Sequence, residues 1–174
     1  LLDTGRATLA TRFSDEKGVI KSWDFAPHMK LTTIENGEQK VALYSLSDPW
    51  TFPVIIDNMM NLEYLFDSDV ERYHHIAFSH AEQTMANHYF YDESDTAKQY
   101  PLSYHVFDYG ENKPGNWQGL GNVSAWARGQ GWSLYGYLTV VEAMARSKTD
   151  LSKYPDFEAH LHRLLAAVEH LLAD

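Results

Sequence analysis

"VIIDNMMNLEYLF", residues 54–66, decides how the fold is read, because the hydrophobic period changes inside it. Val54, Ile55 and Ile56 form the short continuous apolar run of a buried strand. Asp57 and Asn58 break it, and Met59, Met60, Leu62, Leu65 and Phe66 then recur at helical spacing. The junction predicts a helix that opens at Asp57 and runs to about Phe66. An Asp at such a start is most often an N-cap, accepting from the first free backbone N–H groups. Its apolar neighbours argue for a second role, since a poorly solvated carboxyl keeps its proton more readily and suits a general acid. The residues alone lean toward the cap. In a helix that includes Asp57, Asn61 and Tyr64 lie on its face one and two turns on.

Helical periods also surround this stretch. Leu1, Leu2, Leu9 and Phe13 predict a helix over 1–13, and 18–54 reads as irregular, with strand-like "GVIKSWDF" and "QKVALYSL" flanking the turn-like "ENGEQ". A longer helix is predicted over 70–88, with Ile76, Ala77, His80, Ala81, Thr84 and Met85 on one face. "PLSYHVFDY" alternates like a short strand, and a Gly/Asn-rich loop follows it. Two more helices are expected over 125–146 and 156–173. About five helices joined by long, aromatic, polar connectors differ from a simple bundle, whose connectors are short. Such loops are where a helical barrel builds its active face.

The 174 residues suit one domain with a real core, and 44% hydrophobic against 22% charged residues argues against disorder. A net charge of −10 makes nucleic acid a poor partner. Without cysteine there is no disulfide framework, thiolate zinc site or Cys nucleophile, which fits the cytoplasm and the periplasm alike. No stretch is apolar enough to span a membrane as a helix. The nine histidines include no HExxH and no paired ligands with a third carboxylate, so neither metal nor cofactor is expected; His74, His75, His80 and His88 read as surface or core residues. His105 differs, lying in "SYHVFDY" beside the Gly-rich loop.

Eleven Tyr and five Trp sit partly in polar company, as in "NWQG" and "SAWARGQGW". Flat rings beside polar side chains suit sugars, although composition alone favours an aromatic core with its polar tips satisfied. In the second motif, Arg128 and Trp132 fall on one helix face, so a guanidinium and an indole are expected to project together. Gly129 and Gly131 cost helix stability there and predict a close backbone approach.

"IIDNMMNLE", "SYHVFDY", "WQG" and "WARGQGW" occur in the order found in the unsaturated glucuronyl hydrolases, glycoside hydrolase family 88, which the chain resembles over nearly its whole length; "IKSWD" also looks familial. The resemblance implies an all-α fold, part of an (α/α)6 barrel (toroid), with long loops and short strands at the active-site mouth. It implies hydration of the C4=C5 double bond of an unsaturated uronic acid at the non-reducing end of lyase-generated glycosaminoglycan oligosaccharides, releasing the neighbouring sugar. Asp57 matches the family's general acid/base. His105, Gln118, Trp126, Arg128 and Trp132 match positions lining the unsaturated sugar's subsite. Among these, Arg128 with Gln118 is expected at the uronate carboxylate or its hydroxyl neighbours, Trp126 and Trp132 as apolar walls, and His105 at a ring hydroxyl. Family members carry a second essential Asp in a His-Asp motif ahead of these residues, and no such motif precedes "IIDNMMN" here. Residues 1–174 are therefore expected to be one domain that is a central fragment of a larger catalytic domain, inactive without its remainder. Two alternatives are an unsaturated rhamnogalacturonyl hydrolase acting on pectin fragments and a non-catalytic sugar-binding helical domain.

Overall fold

The computed structural model describes residues 1–24, 29–35, 38–44, 50–91, 100–115, 121–147 and 153–173. Helix α1 spans Leu2–Ala10, shorter than its apolar period, because the chain turns at Thr11 into strand β1 (Phe13–Ser14). β1 pairs antiparallel with β2 (Val19–Ile20), all that becomes strand in "GVIKSWDF". β3 (Met29–Glu35) and β4 (Glu38–Tyr44) pair antiparallel in the register Met29↔Tyr44 to Glu35↔Glu38, and residues 36–37 of the turn-like "ENGEQ" lie outside the described residues.

The opening stretch splits into three pieces. Strand β5 (Pro53–Ile55) is followed by a 3-10 helix, Ile56–Asn61, and then by the short α2 (Leu62–Phe66). A tighter helix therefore stands where one continuous α-helix was expected. The cap expectation is also corrected: Ile55 is the N-cap of the 3-10 helix, Asn61 that of α2, and no side-chain cap hydrogen bond is made at either. Asp57 lies inside the first turn. Helix α3 (Glu71–Asn87) buries Ile76, Ala77, His80, Ala81 and Thr84, as its period predicts, with Phe78 in addition.

"PLSYHVFDY" is two strands rather than one. Strand β6 (Tyr89–Tyr91) pairs with β7 (Pro101–Ser103), whereas β8 (Val106–Asp108) pairs with β5 on one side and with β9 (Lys113–Gly115) on the other. Tyr104 and His105 bridge the two sheets. Alternation alone cannot show that a run changes partner halfway.

Helix α4 (Ala127–Arg146) packs on the 3-10 helix, on α3 and on α5 (Phe157–Ala173). Gly136 allows the first of these contacts: a β-carbon there would lie 2.5 Å from Met59 Cβ and 2.7 Å from Met59 O. Tyr137, fully buried, spans the α3–α4 seam and donates its hydroxyl to Ala81 O at 2.8 Å. Met59, Leu62, Leu65, Ile76, Val140, Phe157 and Leu164 fill the core between these helices. At about 25 cal/mol per Å² of apolar surface removed from water, this burial is the main term holding the helices together. No helix among the described residues is long and apolar enough to cross a membrane.

Candidate active site

Asp57, His105 and Arg128 come from three different elements, and the β5–β8 pairing brings the first two together. Ile55 stands opposite Val106, and Ile56 N donates to His105 O at 3.0 Å, so the residues just beyond each strand end meet. His105 Nδ1 lies 3.9 Å from Asp57 Oδ1. The third element is the first turn of α4, where Arg128 Nε sits 3.2 Å from Asp57 Oδ2. The Asp57 side chain is 15% exposed, that of Arg128 45%. Oδ1 of Asp57 is buried with no hydrogen-bond partner among the described residues. Such an oxygen costs free energy unless something else completes it, which is more typical of a working site than of a structural one.

Gly129 leaves the room for this meeting. A β-carbon there would fall 2.7 Å from Ile56 Cγ2, 3.3 Å from His105 Nδ1 and 3.8 Å from Asp57 Oδ1. Gly131, in contrast, has nothing within 4 Å of that position, so one of the two glycines explains the expected close approach. Trp126, the N-cap residue of α4, packs edge-on against His105 with ring centroids 5.0 Å apart. Its indole also lies under Arg128, with Cζ 3.8 Å from the ring centroid, a cation–π contact. The expected pairing of Arg128 with Trp132 is thus replaced by Trp126. Trp132 instead turns edge-on to Tyr135 at 6.1 Å. Gln118 lies outside the described residues. Tyr64 is 51% exposed, and Asn61 donates to Asn58 Oδ1 at 3.4 Å rather than turning to Asp57.

Several contributors were hidden in the sequence. Gln130 sits inside "WARGQGW" but is buried; its Oε1 accepts from Ser103 N and Oγ at 3.0 and 3.1 Å, and its Nε2 donates to Pro101 O at 3.0 Å. It ties the first turns of α4 to β7, two residues before His105. Trp23 stacks on Trp50, with centroids 5.7 Å apart and planes at 27°. Trp50 in turn lies against Gly115, the β9 residue paired with Val106. The Trp50 indole therefore lies on the sheet at the β9 residue level with Val106, next in sequence to His105, and Trp23 stacks on it. A heavy aromatic count signals such walls, but only the strand register places them.

Two buried histidines carry structure. His80 Nδ1 accepts from Ile20 N at 3.1 Å, and His88 Nε2 donates to Val54 O at 3.1 Å. Desolvation lowers the first to about 3; desolvation likewise lowers the second, to about 4, against the opposing hydrogen bond to Val54. Both are neutral near pH 7. No group of three or more His, Asp or Glu among the described residues is arranged to hold a metal ion.

No family model matches the chain. An unsaturated glucuronyl hydrolase of Formosa agariphila is 37% identical over 134 residues, which are 75% of this chain and 28% of that protein. An unsaturated chondroitin disaccharide hydrolase of Streptococcus pyogenes serotype M1 is 29% identical over 138 residues, 74% of this chain and 27% of that protein. Among solved structures, an unsaturated glucuronyl hydrolase specific for heparin superposes with a TM-score of 0.65 at 33% identity, over 97% of this chain and 38% of its own. The chain therefore spans about a quarter of the curated relatives. Helix packing and structural likeness together define an all-α segment of an (α/α)6 toroid. Within that class, the chain belongs to the unsaturated glucuronyl hydrolase family.

Proposed function

We propose that the chain supplies an active-site wall of a glycoside hydrolase that hydrates the C4=C5 double bond of an unsaturated uronic acid. The substrates are small glycosaminoglycan oligosaccharides left by polysaccharide lyases. Asp57 delivers a proton to C4 and takes one from the water that adds at C5. The resulting hemiketal collapses and releases the neighbouring sugar. Because the two proton transfers are successive, one carboxyl serves both, unlike glycosidases that need two carboxylates flanking the bond.

The observation that carries this reading is the largely sheltered Asp57, paired on one oxygen with Arg128 and without a hydrogen bond on the other, which faces His105. Arg128 suits the substrate's carboxylate, since a guanidinium binds that group bidentately. A bound uronate competes with Asp57 for that cation and leaves Asp57 to the double bond. Gln118 is assigned to the same end of the sugar, and His105 to a ring hydroxyl. Trp126 and Trp132 act as apolar walls, and the Trp23–Trp50 stack offers a further ring face on the same sheet. Chondroitin and heparin in the relatives' names favour glycosaminoglycan over pectin fragments.

The test is ultraviolet absorbance of the double bond, followed while the full-length protein is incubated with lyase-generated disaccharides of heparin, hyaluronan and chondroitin. Loss of absorbance on at least one is expected. Unchanged absorbance on all three overturns the reading, and faster loss on a pectin-derived unsaturated galacturonyl-rhamnose moves the substrate to pectin.

A further inference from the structure

The 3-10 helix that carries Asp57 is short, makes no side-chain capping hydrogen bond and begins right after a three-residue strand. On the backbone, Ile56 N is tied to His105 O at 3.0 Å. A second restraint comes from a side chain, through the hydroxyl of Ser22. Ser22 Oγ accepts from Ile55 N at 2.9 Å and from Asn58 Nδ2 at 3.0 Å, so one atom holds the residues on both sides of the Ile56–Asp57 pair. The second amide hydrogen of Asn58 goes to Ile20 O at 2.9 Å. Ser22 is itself pinned, its N–H donating to Pro53 O at 2.9 Å. Ile20 is pinned too, its N–H held by the buried His80 of α3.

Resting on the function proposed above, we infer that Ser22, acting with Asn58, is a positioning residue for Asp57. It touches no reacting atom. It clamps the 3-10 turn against β2, and through Ile20 and His80 against α3, so that the carboxyl is held in register with the His105 imidazole and the Arg128 guanidinium. A proton donor gains from such preorganisation because misplacement by a fraction of the reacting distance lowers the rate steeply. Asn58 also accepts from Asn61 at 3.4 Å, so both asparagines of "DNMMN" belong to the clamp.

Ser22→Ala removes the shared acceptor without adding volume. With the full-length protein and its best disaccharide, kcat is expected to fall at least about tenfold while KM stays within about twofold. Ser22→Thr, which keeps the hydroxyl, is expected to restore most of the rate. Combined with Asn58→Ala, the loss is expected to be less than the product of the two single losses, because both variants open one link. Amide hydrogen exchange gives a readout independent of turnover: the amides of residues 55–58 are expected to exchange at least about tenfold faster in Ser22→Ala, with those of α3 unchanged. Unchanged kcat and unchanged exchange overturn the inference, and so does a Ser22→Thr variant as impaired as Ser22→Ala. If the wild type hydrates no substrate while exchange still rises at 55–58, the clamp stands and the proposed function falls.

Discussion

Two aspartates stand at opposite ends of the same strand pair and live in opposite circumstances. Asp108 closes the end where β8 faces Pro53, and Asp57 follows the end where Ile55 faces Val106. Asp108 is fully buried and accepts from Thr51 N at 2.9 Å, Phe52 N at 2.7 Å, Gly110 N at 2.9 Å and Thr51 Oγ1 at 3.3 Å. Burial pushes its carboxyl up, and the three backbone N–H groups outweigh that, so it titrates below the ordinary value. Asp57 is more open and leaves an oxygen without a hydrogen bond. A carboxylate surrounded by backbone donors is spent on holding a turn. One facing a half-exposed guanidinium, with an oxygen that lacks a hydrogen bond, is chemically able to exchange a proton and a partner. Satisfaction, rather than burial, separates Asp108 from Asp57, the acid proposed to do the chemistry.

That contrast breaks first at Asp108. Asp108→Asn puts an amide among donors and is expected to cost about 2–4 kcal/mol of stability, read by urea unfolding, while folded molecules keep wild-type turnover. A comparable loss of turnover per folded molecule makes Asp108 part of the site. The next largest effect is on pH. His80, His88 and His160 are lowered by burial to about 3, 4 and 4, from 6.5 in the unfolded chain. Their contribution to stability is therefore complete above pH 6.5 and is lost as pH falls toward those lower values, by up to about 1.4 kcal/mol per histidine per pH unit. Unfolding free energies measured from neutral pH down to about 5 are expected to drop along that slope. A flat profile shows that these rings are not buried neutral. The smallest expected effect is local. Gly129→Ala crowds Ile56 and His105 and is expected to cost about 1–3 kcal/mol, with kcat falling more than the stability loss explains; unchanged kinetics show that the Asp57–His105 spacing has slack.

Helix content was largely legible in the sequence, because α3, α4 and α5 each bury one face with a clear period. Strand partners were not. "SYHVFDY" serves two sheets, and alternation reports which face is buried without reporting which strand lies alongside. The junction at Asp57 was misread in kind, since a 3-10 helix and a short α-helix share nearly the same apolar spacing. The site motif was legible as a motif, but its wiring was not. Arg128 pairs with Trp126, two positions back, because Trp126 sits at the helix boundary outside the helical period. Ser22 and Asn58 stand inside "IKSWD" and "IIDNMMNLE", but their role was not legible, because only the register places Ile55 and Asn58 on the Ser22 hydroxyl.

The central comparison is tested most directly by the rate of double-bond loss for Asp57→Asn in the full-length protein, normalised by its unfolding free energy. Turnover is expected to fall by about 10²–10⁴-fold, with stability changed by less than about 1 kcal/mol because the Arg128 pairing is half exposed. Activity surviving within a few-fold, or a stability loss as large as that of Asp108→Asn, contradicts the assignment of Asp57 as the working acid.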